Sequence, residues 1–106
     1  MNGHIIVLTT TDSEEEAKKI SRGLVEKKLA YCVNTIPSIQ STYYWDGKLC
    51  TDDELLLIIK TKKEKFSTVK DWILDNHSYD IPEVIALPIT QGSSDYLQCI
   101  DDWIGK

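Results

Sequence analysis

Ser41-Thr42-Tyr43-Tyr44-Trp45-Asp46-Gly47-Lys48 is the stretch from which the fold can be read. Asp-Gly is a strong hairpin signal, because a type I′ turn needs positive φ at both central positions. The flanks, Ala30 to Tyr44 and Lys48 to Thr61, are rich in Val, Ile, Thr, Tyr and Leu and read as the two arms. Arms of about 14 residues at roughly 3.3 Å each span some 45 Å, more than the approximately 30–35 Å breadth of a hundred-residue domain. The hairpin is therefore expected to overhang, with Tyr43, Tyr44 and Trp45 at its tip. An apolar overhang with open strand edges calls for another chain, so a homo-oligomer is expected. Pro37 has no N–H to give a ladder and suits a bulge or bend in the first arm.

Working outward, Ile5 to Thr10 reads as a short strand, and Ser13 with Glu16 fits a capping box for a helix starting at Glu14. Ala17, Ile20 and Leu24 share one face of that helix, and Glu14 to Glu16 read as solvated first-turn carboxylates that suit its dipole. After the hairpin, Thr61 with Glu64 offers a second capping box, with Phe66, Val69, Trp72 and Ile73 at helical spacing up to about Asn76. Tyr79 to Pro82 reads as a connection, Glu83 to Ile89 as a strand limited by Pro88, and Tyr96 to Ile104 as a short amphipathic helix. The order β-α-β-β-α-β-α predicts an α+β, ferredoxin-like split βαβ sandwich, with the two main helices on one face of an antiparallel sheet.

The 106 residues carry no linker, repeat or low-complexity tract, so 1–106 is read as a single domain. Three cysteines, Cys32, Cys50 and Cys99, are an odd number without a C-x-x-C pair, which argues against a secreted disulfide framework and for a reducing cytoplasm. The start, Met1-Asn2-Gly3-His4, lacks the pattern of a secretory signal, and no apolar run approaches spanning length. His4 reads as a terminal bystander. A formal charge of −5 disfavours nucleic acid and anionic membranes as partners.

In combination, several motifs resemble the CutA family, the divalent-cation tolerance proteins, along nearly the whole chain. They are Val7-Leu8-Thr9-Thr10, Leu29-Ala30-Tyr31-Cys32-Val33-Asn34 leading to Ile36-Pro37, the hairpin run, Leu57-Ile58-Ile59-Lys60-Thr61 and His77-Ser78-Tyr79-Asp80-Ile81-Pro82-Glu83. The resemblance implies a ferredoxin-like subunit and a tight trimer joined through the long hairpins. It also implies a role in tolerance to copper and other divalent cations, and a likeness to PII-type trimers that bind small ligands between subunits. Some family members are thought to bind copper through a strand-end cysteine, a histidine near the His-Pro-Tyr turn and the glutamate of the Pro-Glu pair. Thr9 stands at that cysteine position, Asn76 precedes His77, Ser78 replaces the usual proline, Glu83 matches the glutamate, and Cys99 stands where a tryptophan is common.

The resemblance thus makes His77 and Glu83 the candidate metal ligands. Without the strand-end thiol, they suit weak divalent binding better than cuprous ion, with further ligands from a neighbouring chain or water. Trp45, Lys60 and Tyr79 form a second candidate, an intersubunit cleft in which Lys60 meets a small anion and the rings pack on it. Cys32 reads as a buried, inert thiol, and Asp52, Asp53 and Glu54 as an exposed edge run. No enzymatic signature is complete and no cofactor is demanded, so a non-enzymatic protein is expected. The divalent-cation homotrimer is the first reading, and a PII-like module binding a small anionic ligand the second.

Overall fold

A computed structural model describes residues 3–105. Met1, Asn2 and Lys106, included in the single domain read from the sequence, lie outside the described residues. The elements run β1 (His4–Thr11), α1 (Glu14–Glu26), β2 (Cys32–Trp45), β3 (Lys48–Lys62), a 3₁₀ turn (Lys63–Lys65), α2 (Phe66–Asp75), β4 (Ile85–Pro88) and α3 (Ser94–Ile104). All four strands form one antiparallel sheet in the order β2-β3-β1-β4. This is the split βαβ arrangement expected from the element order.

Alternation decides which face is covered. Ile5, Val7, Thr9 and Thr11 of β1 are buried, as are Leu57, Ile59 and Thr61 of β3. Ile5, Val7, Leu57 and Ile59 meet Ala17, Ile20 and Leu24 of α1 and Val69 and Ile73 of α2 in one core. Gly23 lets the two helices close up, since a Cβ there would lie 2.1 Å from the Trp72 ring. The Trp72 indole N–H donates to the Ile20 carbonyl at 3.1 Å, satisfying a polar group that burial would otherwise strand.

The hairpin overhangs as expected. β1 pairs with β3 only from Leu55 to Lys62, so Lys48–Glu54 and their β2 partners continue as a two-stranded ribbon. The longest dimension of the molecule is accordingly 44 Å, against 25 and 23 Å across it. Asp46 and Gly47 have φ of 53° and 78°, as a type I′ turn requires. A bulge at Pro37-Ser38 puts one extra β2 residue between the Ile36–Leu56 and Ile39–Glu54 pairs, with Ser38 at φ 62°.

Several expectations are corrected. Thr61 caps no helix: its backbone pairs with Ile5, and its buried hydroxyl donates to the Leu29 carbonyl at 2.6 Å. Strand pairing wins over the capping signal, and α2 begins only at Phe66 without a side-chain cap. Ser13 does cap α1, its hydroxyl accepting from Glu16 N–H at 3.1 Å, but the Glu16 carboxylate does not close the box. That carboxylate takes the Thr11 hydroxyl at 2.7 Å and the Ser78 N–H at 3.0 Å, so it is a tertiary tie and not a solvated charge. His4 is no bystander, because its Nε2 lies 2.9 Å from Asp101, binding β1 to α3. The last strand shortens to Ile85–Pro88, where β1 supplies a partner, and α3 starts two residues early on a Ser93 cap.

Candidate functional site

β3, the hairpin ribbon and the loop leading into β4 enclose an open cleft of about 620 Å³. Five carboxylates line it, those of Asp12, Asp52, Glu54, Asp80 and Glu83, with the rings of Tyr43, Trp45 and Tyr79. Among the described residues, no lysine, arginine or histidine lines it.

Its walls are set from opposite sides. Tyr43, next along β2 to the tip, donates its hydroxyl to Asp52 on the facing strand. That hydrogen bond, with burial and further acidic charge behind it, pushes the Tyr43 phenol up to about 12. Tyr79 reaches across from the loop and donates to Glu54 Oε2 at 2.6 Å. Burial first, then this bond, raise the Tyr79 phenol above its ordinary value. Glu54 is only 7% exposed, although it sits in what reads as an edge run. Glu83 is pushed up by burial and then by the charge of Glu54, so the two carboxylates feel one another across the cleft.

His77 holds the loop from behind. Its side chain is fully buried, Nε2–H donates to the Thr10 carbonyl at 2.7 Å, and Nδ1 accepts the Tyr79 N–H at 3.1 Å. This assignment of the tautomer follows from the partners, since a carbonyl can only accept. Glu16 Oε2 stands 3.3 Å from Nδ1, and the imidazole packs on the Tyr79 ring at 4.7 Å. His77 therefore positions the aromatic wall and is not itself a lining residue.

The residues singled out from the sequence are distributed unevenly. Trp45, Tyr79 and Glu83 share the cleft. Lys60 does not: it lies six residues beyond Glu54 on the same face of β3, about 20 Å away within one chain. Its ammonium donates to Asn34 Oδ1. Among the described residues, no group of three His, Cys, Asp or Glu side chains is placed to hold a metal ion. A single chain thus falls short of the three or four ligands of a closed centre. The acids missed by sequence reasoning, Glu54 foremost, had one usable signal. In the strand alternation Glu54 falls in step with Leu56 and Ile58 on one face.

The fold and cleft define a class: a ferredoxin-like α+β chain with a projecting hairpin and an acid-lined cleft beside it. Residues 5–103 match the family described as CutA1 divalent ion tolerance protein, and the chain belongs to that family. It is 43% identical over 99 residues to the divalent-cation tolerance protein CutA of Thermus thermophilus, covering 93% of this chain and 92% of that protein. It is 48% identical over 94 residues to the chloroplastic protein CutA of Arabidopsis thaliana, covering 89% of this chain and 52% of the relative. The chain therefore spans about half the length of that plant protein. The crystal structure described as the periplasmic divalent cation tolerance protein CutA from Archaeoglobus fulgidus superposes with a TM-score of 0.93 at 41% identity, covering 96% of this chain and 99% of that one.

Proposed function

We propose that this protein works in divalent-cation tolerance as a non-enzymatic homotrimer, and that the acid-lined cleft is its cation-receiving surface. The observation that carries this reading is the lining itself, which among the described residues holds five carboxylates and no basic side chain. Uncompensated carboxylates attract a divalent ion such as copper(II) or zinc and repel a small anion. Lys60, which an anion site would need, is occupied with Asn34 away from the cleft. Glu83 belongs to this surface, whereas both nitrogens of His77 face partners within the chain. Ligands missing from one chain would come from water or a neighbouring subunit.

Assembly is supported by what one chain leaves open. Tyr44 and Leu49 near the hairpin tip are each 72% exposed, and Ile85 and Leu87 of the edge strand β4 are about half exposed. Among the described residues, both outer edges of the sheet, β2 and β4, lack a pairing strand. The three free cysteines favour a reducing compartment, the cytoplasm, which fractionation of the native cell would check.

Calorimetry with copper(II) and zinc tests the cleft. The Glu54→Gln, Glu83→Gln double variant should bind at least about tenfold more weakly, two charges having been removed from the lining. Affinity equal to that of the unaltered protein would overturn the assignment. Sedimentation at micromolar concentration tests the assembly, and the mass of one 12.1 kDa chain would refute it.

A further inference from the structure

A bare ion and a long cation ask different things of the same cleft. Among the described residues no three acidic side chains converge closely enough to share one metal ion, yet five line a space of about 620 Å³, a volume that suits an organic ligand. Negative charge is thus spread along the cleft and not gathered at a point. Nor is it neutralised. The ion pairs among the described residues are those of His4, Arg22, Lys62 and His77, and none of them includes Asp12, Asp52, Glu54, Asp80 or Glu83.

Glu54 is the sharpest case. It is 7% exposed, and its Oε2 receives the Tyr79 hydroxyl at 2.6 Å, a neutral donor that satisfies an oxygen and leaves the charge. Among the described residues Oε1 has no donor, and it is not sealed from solvent, so it faces the cleft that Glu54 lines. A carboxylate at this depth without a cation is costly, and a ligand's positive charge would offset that cost. Spacing and packing then select the kind of cation. Asp52 and Glu54 are two apart on β3, on one face and roughly 7 Å from each other along the strand. That spacing suits two ammonium groups joined by a short alkyl chain. Beside the acids the cleft presents the rings of Tyr43, Trp45 and Tyr79 and the exposed side chain of Ile81. Ring faces attract ammonium, and apolar side chains cover the methylenes between the charges.

We propose that the cleft binds a linear aliphatic polyamine, with its ammonium groups on Glu54, Asp52 and Glu83 and its methylenes against Tyr43, Trp45 and Ile81. This inference rests on the reading of the cleft as a cation-receiving surface, and it adds to the metal ion a ligand that needs no inner coordination sphere. Metal ion and polyamine then compete for the same carboxylates.

The test is calorimetry with spermidine at about 0.15 M salt, where loose surface attraction is screened. The unaltered protein should bind spermidine at one site per chain, and butylamine, with one charge to place, at least about tenfold more weakly. Glu54→Gln, which keeps an acceptor for Tyr79, should weaken spermidine about tenfold, and Trp45→Leu roughly two- to fivefold. Asp71→Asn with Asp75→Asn removes two charges from α2, outside the cleft, and should leave the affinity unchanged. Zinc should displace the bound polyamine. Zinc binding that depends on Glu54 and Glu83, with no uptake of spermidine, would overturn this inference and leave the metal reading of the cleft standing. Spermidine binding weakened as much by the α2 variant as by Glu54→Gln would reduce it to net charge and overturn the site. Tetralysine bound more tightly than spermidine would overturn the free amine in favour of a protein tail.

Discussion

The Tyr79 hydroxyl donates to Glu54 Oε2 at 2.6 Å, tying the loop before β4 to the root of the hairpin across 25 residues of chain. Through this one bond the aromatic wall and the most deeply placed carboxylate of the cleft fix one another. It also explains how Glu54 tolerates its 7% exposure, since a buried carboxylate is costly without a donor.

Tyr79→Phe keeps the ring and removes the donor. Leaving Glu54 without that bond should cost about 1–3 kcal/mol, read as a lower urea midpoint. Glu54→Gln combined with Tyr79→Phe should cost less than the two single changes summed. Strict additivity in that cycle would show that the bond carries no energy.

Gly23→Ala improves helix propensity by about 1 kcal/mol in isolation, yet the new methyl would lie 2.1 Å from the Trp72 ring. Overpacking of this kind costs about 1–3 kcal/mol, so the melting temperature should fall. Adding Trp72→Leu to Gly23→Ala should relieve the clash, making the double variant less unstable than the sum of its parts. A rise in melting temperature for Gly23→Ala alone would contradict the packing described.

Acid should loosen α3 before the core. The hydrogen bond from His4 holds the Asp101 carboxyl below the usual range, and Lys62 at 3.2 Å adds to it against the opposing effect of burial. A folded-state value below the unfolded one stabilises above the unfolded pKa of about 3.9 and is lost as the pH falls through the folded value. Asp101→Asn should therefore be less stable at neutral pH and show a shallower decline below about pH 4. Glu83 has the opposite sign, because its raised value gives stability present at low pH and lost as the pH rises through that folded value. Glu83→Gln should accordingly stabilise the neutral-pH protein, and urea midpoints across the acid range check both effects.

Local chemistry made the frame legible. Asp46-Gly47 permits few turns other than the one found, Ser13 has an obvious cap to make, and Pro37 cannot donate to a ladder. Thr61 misled because one residue carried two signals, a cap and an inward strand position. The strand position prevailed, since pairing with Ile5 and burial outweigh one exposed cap. The site was less legible because its contacts are remote in sequence. Nothing near His77 announces that Thr10 and Glu16 occupy it from 67 and 61 positions away. Lys60 was grouped with Trp45 and Tyr79 in a cleft between subunits, an arrangement for neighbouring chains; within one chain, counting along β3 separates it from the hairpin tip.

The bulge at Pro37-Ser38 has a consequence for the cleft, whose β2 wall begins three residues on at Ser41. Side chains of a strand alternate between two faces, so one extra residue changes which set points where. Cys32, Asn34 and Ile36 precede the bulge in even steps, and Ile39, Ser41, Tyr43 and Trp45 follow it in odd ones, all on the same side of the sheet as Glu54. The insertion thus acts as a parity switch written into the chain. Deleting Ser38 alone would turn the Tyr43 and Trp45 rings away from the carboxylates and bring the Tyr44 ring round in their place.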